Sequence, residues 1–260
     1  MTTIRSITNY LEKIAPLESA ESFDNVGLLI GNYADKVDGV LVTLDTLEET
    51  VDQAVDNGCN LIISYHPIIF NGLKKINGDS YVERVVFKAI KQNIAIYATH
   101  TALDNSAVGV SAKMCDVLGI KKRGILLPKT DLTTGTGMIG RLAEPMCEND
   151  FLQHTKKIFK AGCLRYSKKI GKPIHKVAVL GGSGSFAISY ALKRKADAYI
   201  TADLKYHDFF KAENSLMLID VGHYESEQFT KNLLADYLTE KFSSLAIVLS
   251  EKSTNPIYYL

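Results

Sequence analysis

Residues 61–67 read LIISYHP, an apolar run that ends on an imidazole and a proline. Proline carries no N–H and closes a β-ladder, so the strand stops at Pro67 and His66 is placed where the chain leaves the sheet. Working outward, VDGVLVTLD (37–45) is a second β-branched apolar run, and TLEETVDQAVDNG (46–58) between the two has helical spacing, an N-cap at Thr46 and a stop at Gly58. YVERVVFKAIKQN (81–93) follows as a helix, IAIYAT (94–99) as a strand and AVGVSAKMCDVLG (107–119) as a helix. Strands that are apolar on both faces and alternate with helices predict an α/β fold with a sheet covered by helices.

The texture changes at GILLPKTDLTTGTGMIG (124–140), rich in glycine and threonine, where a domain crossing is expected. A second set follows: helix 148–160, strand 175–182, helix 186–195, strand 197–203, a short helix 206–214, strand 216–222 and one long helix 225–242. No internal repeat or low-complexity tail interrupts it.

At 260 residues, 46% hydrophobic and 23% charged, the chain has ordinary globular composition. Thirty Lys and Arg against 29 Asp and Glu leave a net charge of +1, which excludes a broad positive field for nucleic acid or anionic membrane. The runs KKR (121–123) and KRK (193–195) read as solvated turns or helix ends. Cys59, Cys115, Cys147 and Cys163 are scattered without a CxxC pair, which fits reduced thiols and a cytoplasmic home. The N-terminus is an amphipathic helix with Ile4, Ile7, Leu11 and Ile14 on one face, not a signal peptide, and no stretch reaches membrane-spanning length.

In sheets of this kind the reactive groups collect beyond the carboxyl ends of strands. LIISYHP supplies His66 there, IAIYATHTALDN (94–105) supplies His100 and Asp104, LMLIDVGHYESE (216–227) supplies His223, Glu225 and Glu227, and ITADLKYHD (200–208) supplies His207. His223 and Glu227 are four apart, so a helix starting at His223 puts both on one face. Taken singly, each is equally an ordinary turn residue; taken together, they suit an open divalent-metal site with no thiolate. LGGSGSF (180–186) offers either a phosphate cradle or a purely geometric turn. No GxSxG elbow and no HExxH occurs.

ESFDNVGLLIG (21–31), LIISYHPIIFNGLKKI (61–76), IAIYATHTALDN, ITADLKYHDFF and DVGHYESE (220–227), in this order, closely resemble the NIF-three-like family, often labelled GTP cyclohydrolase I type 2 homologues. The resemblance implies two interlinked α/β domains, two divalent ions and a toroidal homohexamer. It carries the metal ligands onto Tyr65, His66, Asp104, His223 and Glu227, with Glu227 bridging, His66 and Asp104 on one ion and His223 on the other. Tyr65 departs from the family's second histidine, and a phenol of ordinary pKa ~10 is a poor ligand when neutral. The ion at His66, Asp104 and Glu227 is therefore expected to bind more tightly than the one at His223. Zinc, manganese, iron, cobalt and nickel all suit these donors.

Ligand segments on both sides of the Gly/Thr-rich stretch give an expected metal-binding domain of residues 1–125 plus 216–260 and a second domain of 126–215. The implied activity is metal-dependent hydrolysis of a nucleotide or related phosphate compound, with His100 or His207 as catalytic proton carriers. The alternative is a non-catalytic metal-binding regulatory or assembly protein that acts through an oligomeric ring.

Overall fold

The computed structural model describes residues 1–129 and 133–260, and the middle of the Gly/Thr-rich stretch lies outside them. Two compact units emerge: Met1–Leu103 with Thr230–Thr254, and Asp104–Phe229 with Asn255–Leu260.

The first unit opens with α1 (Ile4–Ile14), capped reciprocally by the Thr3 and Ser6 hydroxyls and backbone amides. Then come β1 (Gly27–Ile30), β2 (Gly39–Thr43), α2 (Glu48–Asp56), β3 (Leu61–Ser64), α3 (Tyr81–Lys91), β4 (Ala95–Ala98) and α4 (His100–Asp104). In the second unit lie α5 (Val110–Leu118), β5 (Lys121–Pro128), β6 (Gly135–Met146), α6 (Glu148–Ile158), β7 (Arg165–Tyr166), β8 (Ile174–Ser183), α7 (Ile188–Lys193), β9 (Ala198–Ala202), β10 (Met217–Asp220) and α8 (His223–Glu227). The chain then returns to the first unit with α9 (Thr230–Lys241) and β11 (Ala246–Leu249).

The first sheet has the order β1-β4-β3-β2-β11, parallel except for the β1–β4 pair. Its register aligns Leu41, Ile62 and Ile96 on one face, where they pack with Val51 and Ala54 of α2 and with Val85, Val86 and Ala89 of α3. Val42, Ile63 and Tyr97 align on the opposite face and are also buried, with the Tyr97 hydroxyl donating to Glu12 of α1. Burial on both faces explains why these strands read as unbroken apolar runs.

The second sheet, β5-β6-β8-β9-β10-β7, is parallel in β8-β9-β10 and antiparallel elsewhere. Strand alternation divides its core in two. Val177, Val179, Ile200, Met217 and Ile219 enter one cluster, with Phe151 and Phe159, while Ala178, Leu180, Tyr199 and Leu218 enter another, with Ile188 and Ala191 of α7.

The structure departs from the sequence reading at several elements: the KKR run (121–123), read as a turn or helix end, begins strand β5, the Gly/Thr-rich stretch contributes to β5 and β6, and β1 and β7 are further strands outside the sequence reading. α2 starts at Glu48 with Leu47 as its cap, because the Thr50 hydroxyl accepts the Leu47 N–H and closes the first turn one residue later than Thr46 would. The expected single helix 225–242 is broken at Gln228 and Phe229. There Gln228 Nε2 donates to the Phe159 carbonyl and Phe229 packs against the core of the second unit, so the chain is held in that unit before α9 begins in the first. β11 has no counterpart in the sequence pattern, since Ala246–Leu249 is only four residues long and is defined by its pairing with β2 at the sheet edge.

Truncating Ile62→Ala is expected to cost about 2–5 kcal/mol, because it empties the centre of a core packed on both sides. Chemical denaturation checks this, and a loss below about 1 kcal/mol would show that the site relaxes around the cavity.

Candidate functional site

The parallel ladders of the first sheet bring three chain exits side by side. Tyr65 N–H continues the register by donating to Thr43 O (3.1 Å), His66 N–H donates to Leu44 O (2.9 Å) and His100 N–H donates to Tyr65 O (2.9 Å). The ends of β2, β3 and β4 therefore place Asp45, His66 and His100 together. The His66 and His100 rings lie 5.3 Å apart, edge to face, and the buried Tyr65 ring lies 4.7 Å from the first and 5.6 Å from the second.

Each of these imidazoles is held by an aspartate. His66 Nδ1 is 2.8 Å from Asp45 Oδ1, and Asp45 also accepts the Thr254 hydroxyl. His100 Nδ1 is 2.8 Å from Asp24 Oδ1, whose other oxygen accepts the Thr101 backbone N–H (3.0 Å) and hydroxyl. An ionised carboxylate only accepts hydrogen bonds, so Nδ1 carries a proton, and in the neutral form of each ring it is Nε2 that bears the lone pair.

Burial raises the Asp24 carboxyl, but the hydrogen bonds from His100 and Thr101, together with the His100 charge, outweigh it and hold the pKa down at about 2. His100 itself has φ +23°, a left-handed backbone rare for a side-chain-bearing residue and one that structures retain where function demands it.

The second unit repeats the device at the ends of β8, β9 and β10. His223 opens α8, with its Nδ1 2.7 Å from Asp203 Oδ2 at the end of β9 and its Nε2 3.2 Å from Glu227 Oε2 one turn along. Glu227 is 3% exposed. Burial lowers the His223 pKa, but hydrogen bonds to Asp203 and Glu227 and the two negative charges overcome it and push the value up to about 11. Asp203 is shifted down chiefly by its bond to His223, with burial opposing, and it accepts the Ser183 hydroxyl as well. Its φ of +56° is a second left-handed backbone among these residues.

The glycine-rich turn of residues 180–186 serves this arrangement. A Cβ on Gly182, at φ +66°, would meet Glu227 Oε1 at 2.3 Å, so only glycine leaves room for that carboxylate. The Gly182 N–H donates to Ser226 Oγ (2.9 Å) and its carbonyl accepts the Thr201 hydroxyl (3.0 Å).

The remaining expected residues fall as follows. Asp104 closes α4, four residues after His100, and is half-buried. His207 lies exposed in a 3-10 helix (Tyr206–Ala212), edge-on to Tyr206, and no aspartate is seen at its Nδ1 among the described residues. Sequence reasoning missed Asp24, Asp45 and Asp203. Asp45 and Asp203 do end apolar strand runs, so the strand-end rule that found the histidines applied to them as well.

The model of the Duf34/NIF3 (NGG1p interacting factor 3) family matches residues 2–256. A Clostridium acetobutylicum protein named GTP cyclohydrolase 1 type 2 homolog is 34% identical over 229 residues, covering 86% of this chain and 85% of its own length. A Clostridium perfringens protein of the same name is 30% identical over 263 residues, covering 99% of both. Among solved structures, a Bacillus cereus protein related to NIF3 superposes with a TM-score of 0.93 at 26% identity, covering 100% of this chain and 99% of that one. No helix among the described residues is long and apolar enough to cross a membrane.

The depressed Asp24 pKa fixes the sign of a pH effect. A carboxyl held below its unfolded value of about 3.9 adds stability above that pH and loses it as pH falls towards about 2. Asp24→Asn is expected to lower unfolding free energy by about 1–3 kcal/mol near neutral pH, with the gap to the parent protein closing below about pH 4. Denaturation at a series of pH values measures it, and a gap that stays constant to pH ~2 would refute the assignment.

Proposed function

Because the chain belongs to the Duf34/NIF3 family, we propose that it is a divalent-metal protein that hydrolyses a nucleotide or related phosphate compound. The observation that carries this reading is the threefold aspartate–histidine pairing: His66 with Asp45, His100 with Asp24 and His223 with Asp203. A histidine whose Nδ1 is fixed by a carboxylate is oriented and made more basic at Nε2, the arrangement that metal-binding imidazoles use.

His223 and Glu227, one turn apart on α8, have the donor chemistry to hold an ion, and so does His66 at the end of β3. Asp104 is the fourth protein ligand in this proposal, and Tyr65 stands where the resemblance puts a further one. Two or three nitrogens with carboxylates suit zinc, manganese, iron, cobalt or nickel. When bound, such ions supply Lewis-acid polarisation of a phosphoryl or carbonyl oxygen and activation of water.

The chain's own residues do the rest. Asp45 and Asp203 fix the His66 and His223 tautomers. His100 is held by the same device but is not among the carried-over ligands, which leaves its Nε2 to accept or return a proton at the substrate. The Asp24 carboxylate stabilises the imidazolium when it does so.

A second reading, a metal-binding regulatory protein without turnover, draws on Tyr65. Its phenol is buried where the family pattern has an imidazole, and a neutral phenol weakens one of two sites.

Metal analysis after zinc or manganese loading is expected to show His66→Ala and Glu227→Ala losing the ion, and Asp45→Asn binding it about 10–100-fold more weakly. Tyr65→His is expected to raise the metal retained per chain. Turnover of GTP and of simple phosphate esters, abolished by Glu227→Ala, supports the hydrolase; full metal binding without turnover across that panel supports the second reading. Unchanged metal retention in both His66→Ala and Glu227→Ala would refute the site itself.

A further inference from the structure

The second unit contains a cavity of about 700 Å³ between β7, the edge strand of its sheet, and the 3-10 helix Tyr206–Ala212. That volume falls within the range of small-molecule sites. Its lining combines aromatic rings with cations. Tyr206 and Phe210 stand edge to face at 5.5 Å, and both are largely exposed, at 73% and 65%. Phe209 lies deeper, beneath the Arg165 guanidinium at 5.7 Å.

Exposed aromatic pairs of this size forfeit burial that a soluble chain ordinarily secures, so they mark a surface built to be covered. The cations specify the cover. Arg165 is fixed by Asp220 and by the Leu204 carbonyl (2.9 Å), so it holds its position without a ligand. Lys168 makes no ion pair or side-chain hydrogen bond among the described residues, which leaves a full positive charge at the cavity wall. Only Glu213 contributes an acidic side chain to the lining.

We propose that this cavity binds a planar aromatic ring that carries a phosphate, with the ring against Tyr206 and Phe210 and the phosphate at Lys168 and Arg165. Stacking suits a flat ring because the exposed faces of Tyr206 and Phe210 present π-surface, and phosphate suits the pair of cations because guanidinium and ammonium both donate to it. A second copy of the chain fits less well. Interface centres are depleted of charge and stable contacts bury about 1,000 Å² or more, whereas here an unpaired lysine lines a compact concavity.

The site uses none of the residues assigned above to the metal, so the test is run in EDTA. Calorimetric titration of the full chain with AMP and GMP is expected to show one saturable site per chain. Adenosine alone and inorganic phosphate alone, which offer only the ring or only the anion, are expected to bind much more weakly. Phe210→Ala is expected to weaken nucleotide binding by about 5- to 100-fold, as the loss of one stacking ring does. Lys168→Ala is expected to weaken AMP towards the affinity of adenosine. Both side chains are exposed, so the variants should fold, and circular dichroism confirms it.

Absence of saturable AMP or GMP binding up to about 10 mM would overturn the proposal. So would affinity unchanged in both variants, or loss of self-association in Phe210→Ala with no effect on nucleotide.

Discussion

An ionised carboxylate has no proton to give, and this constraint organises the candidate site. Asp45, Asp24 and Asp203 each sit 2.7–2.8 Å from an imidazole Nδ1, so each keeps a hydrogen on Nδ1 and makes Nε2 the nitrogen that presents a lone pair whenever the ring is neutral. The aspartates are themselves fixed from behind, by Thr254, by Thr101 and by Ser183 respectively. A side chain with two free torsions is thereby reduced to one orientation, and rotamer freedom that a ligand would otherwise have to remove is removed by folding.

The sheets make those pairs possible. Parallel strands in register deliver consecutive chain exits about one strand spacing apart, close enough for a side chain at one exit to reach its neighbour. Asp45 leaves β2 and meets His66 leaving β3; Asp203 leaves β9 and meets His223 just beyond β10. The backbone bends to complete the placement, since His100 and Asp203 take left-handed conformations and Gly182 gives up its side chain to admit Glu227. Each departure costs about 1 kcal/mol or more in an isolated chain, and the doubly buried sheets hold them in place.

Much of this was legible in the sequence, and the physical basis of each reading explains how far it went. Apolar runs such as LIISY declare a strand covered on both faces, and Pro67 marks its end, so the exits of His66, His100 and His223 could be located from pattern alone. The aspartates were harder to see, because an Asp after a strand is an ordinary turn residue until its histidine partner is known, and Asp24 lies 76 residues from His100. The helix break at Gln228 was invisible for a similar reason. Residues 225–242 have acceptable helical propensity throughout, and what divides them is the long-range pairing of Gln228 with the Phe159 carbonyl. β11 depends on pairing as well, since nothing within four residues distinguishes it from a short apolar tail.

The electrostatics of His223 connect the fold to the proposed chemistry. Between Asp203 and Glu227, with a pKa up at about 11, the ring is an imidazolium at neutral pH. A raised pKa stabilises the folded chain most fully below the unfolded value of about 6.5 and loses that contribution only as pH climbs towards 11. A divalent ion bound by His223, as proposed, would have to displace this proton, since metal binds only the neutral ring. The carboxylates that favour the proton also favour the ion, and the ion brings twice the charge, so the competition turns on pH and on metal concentration together.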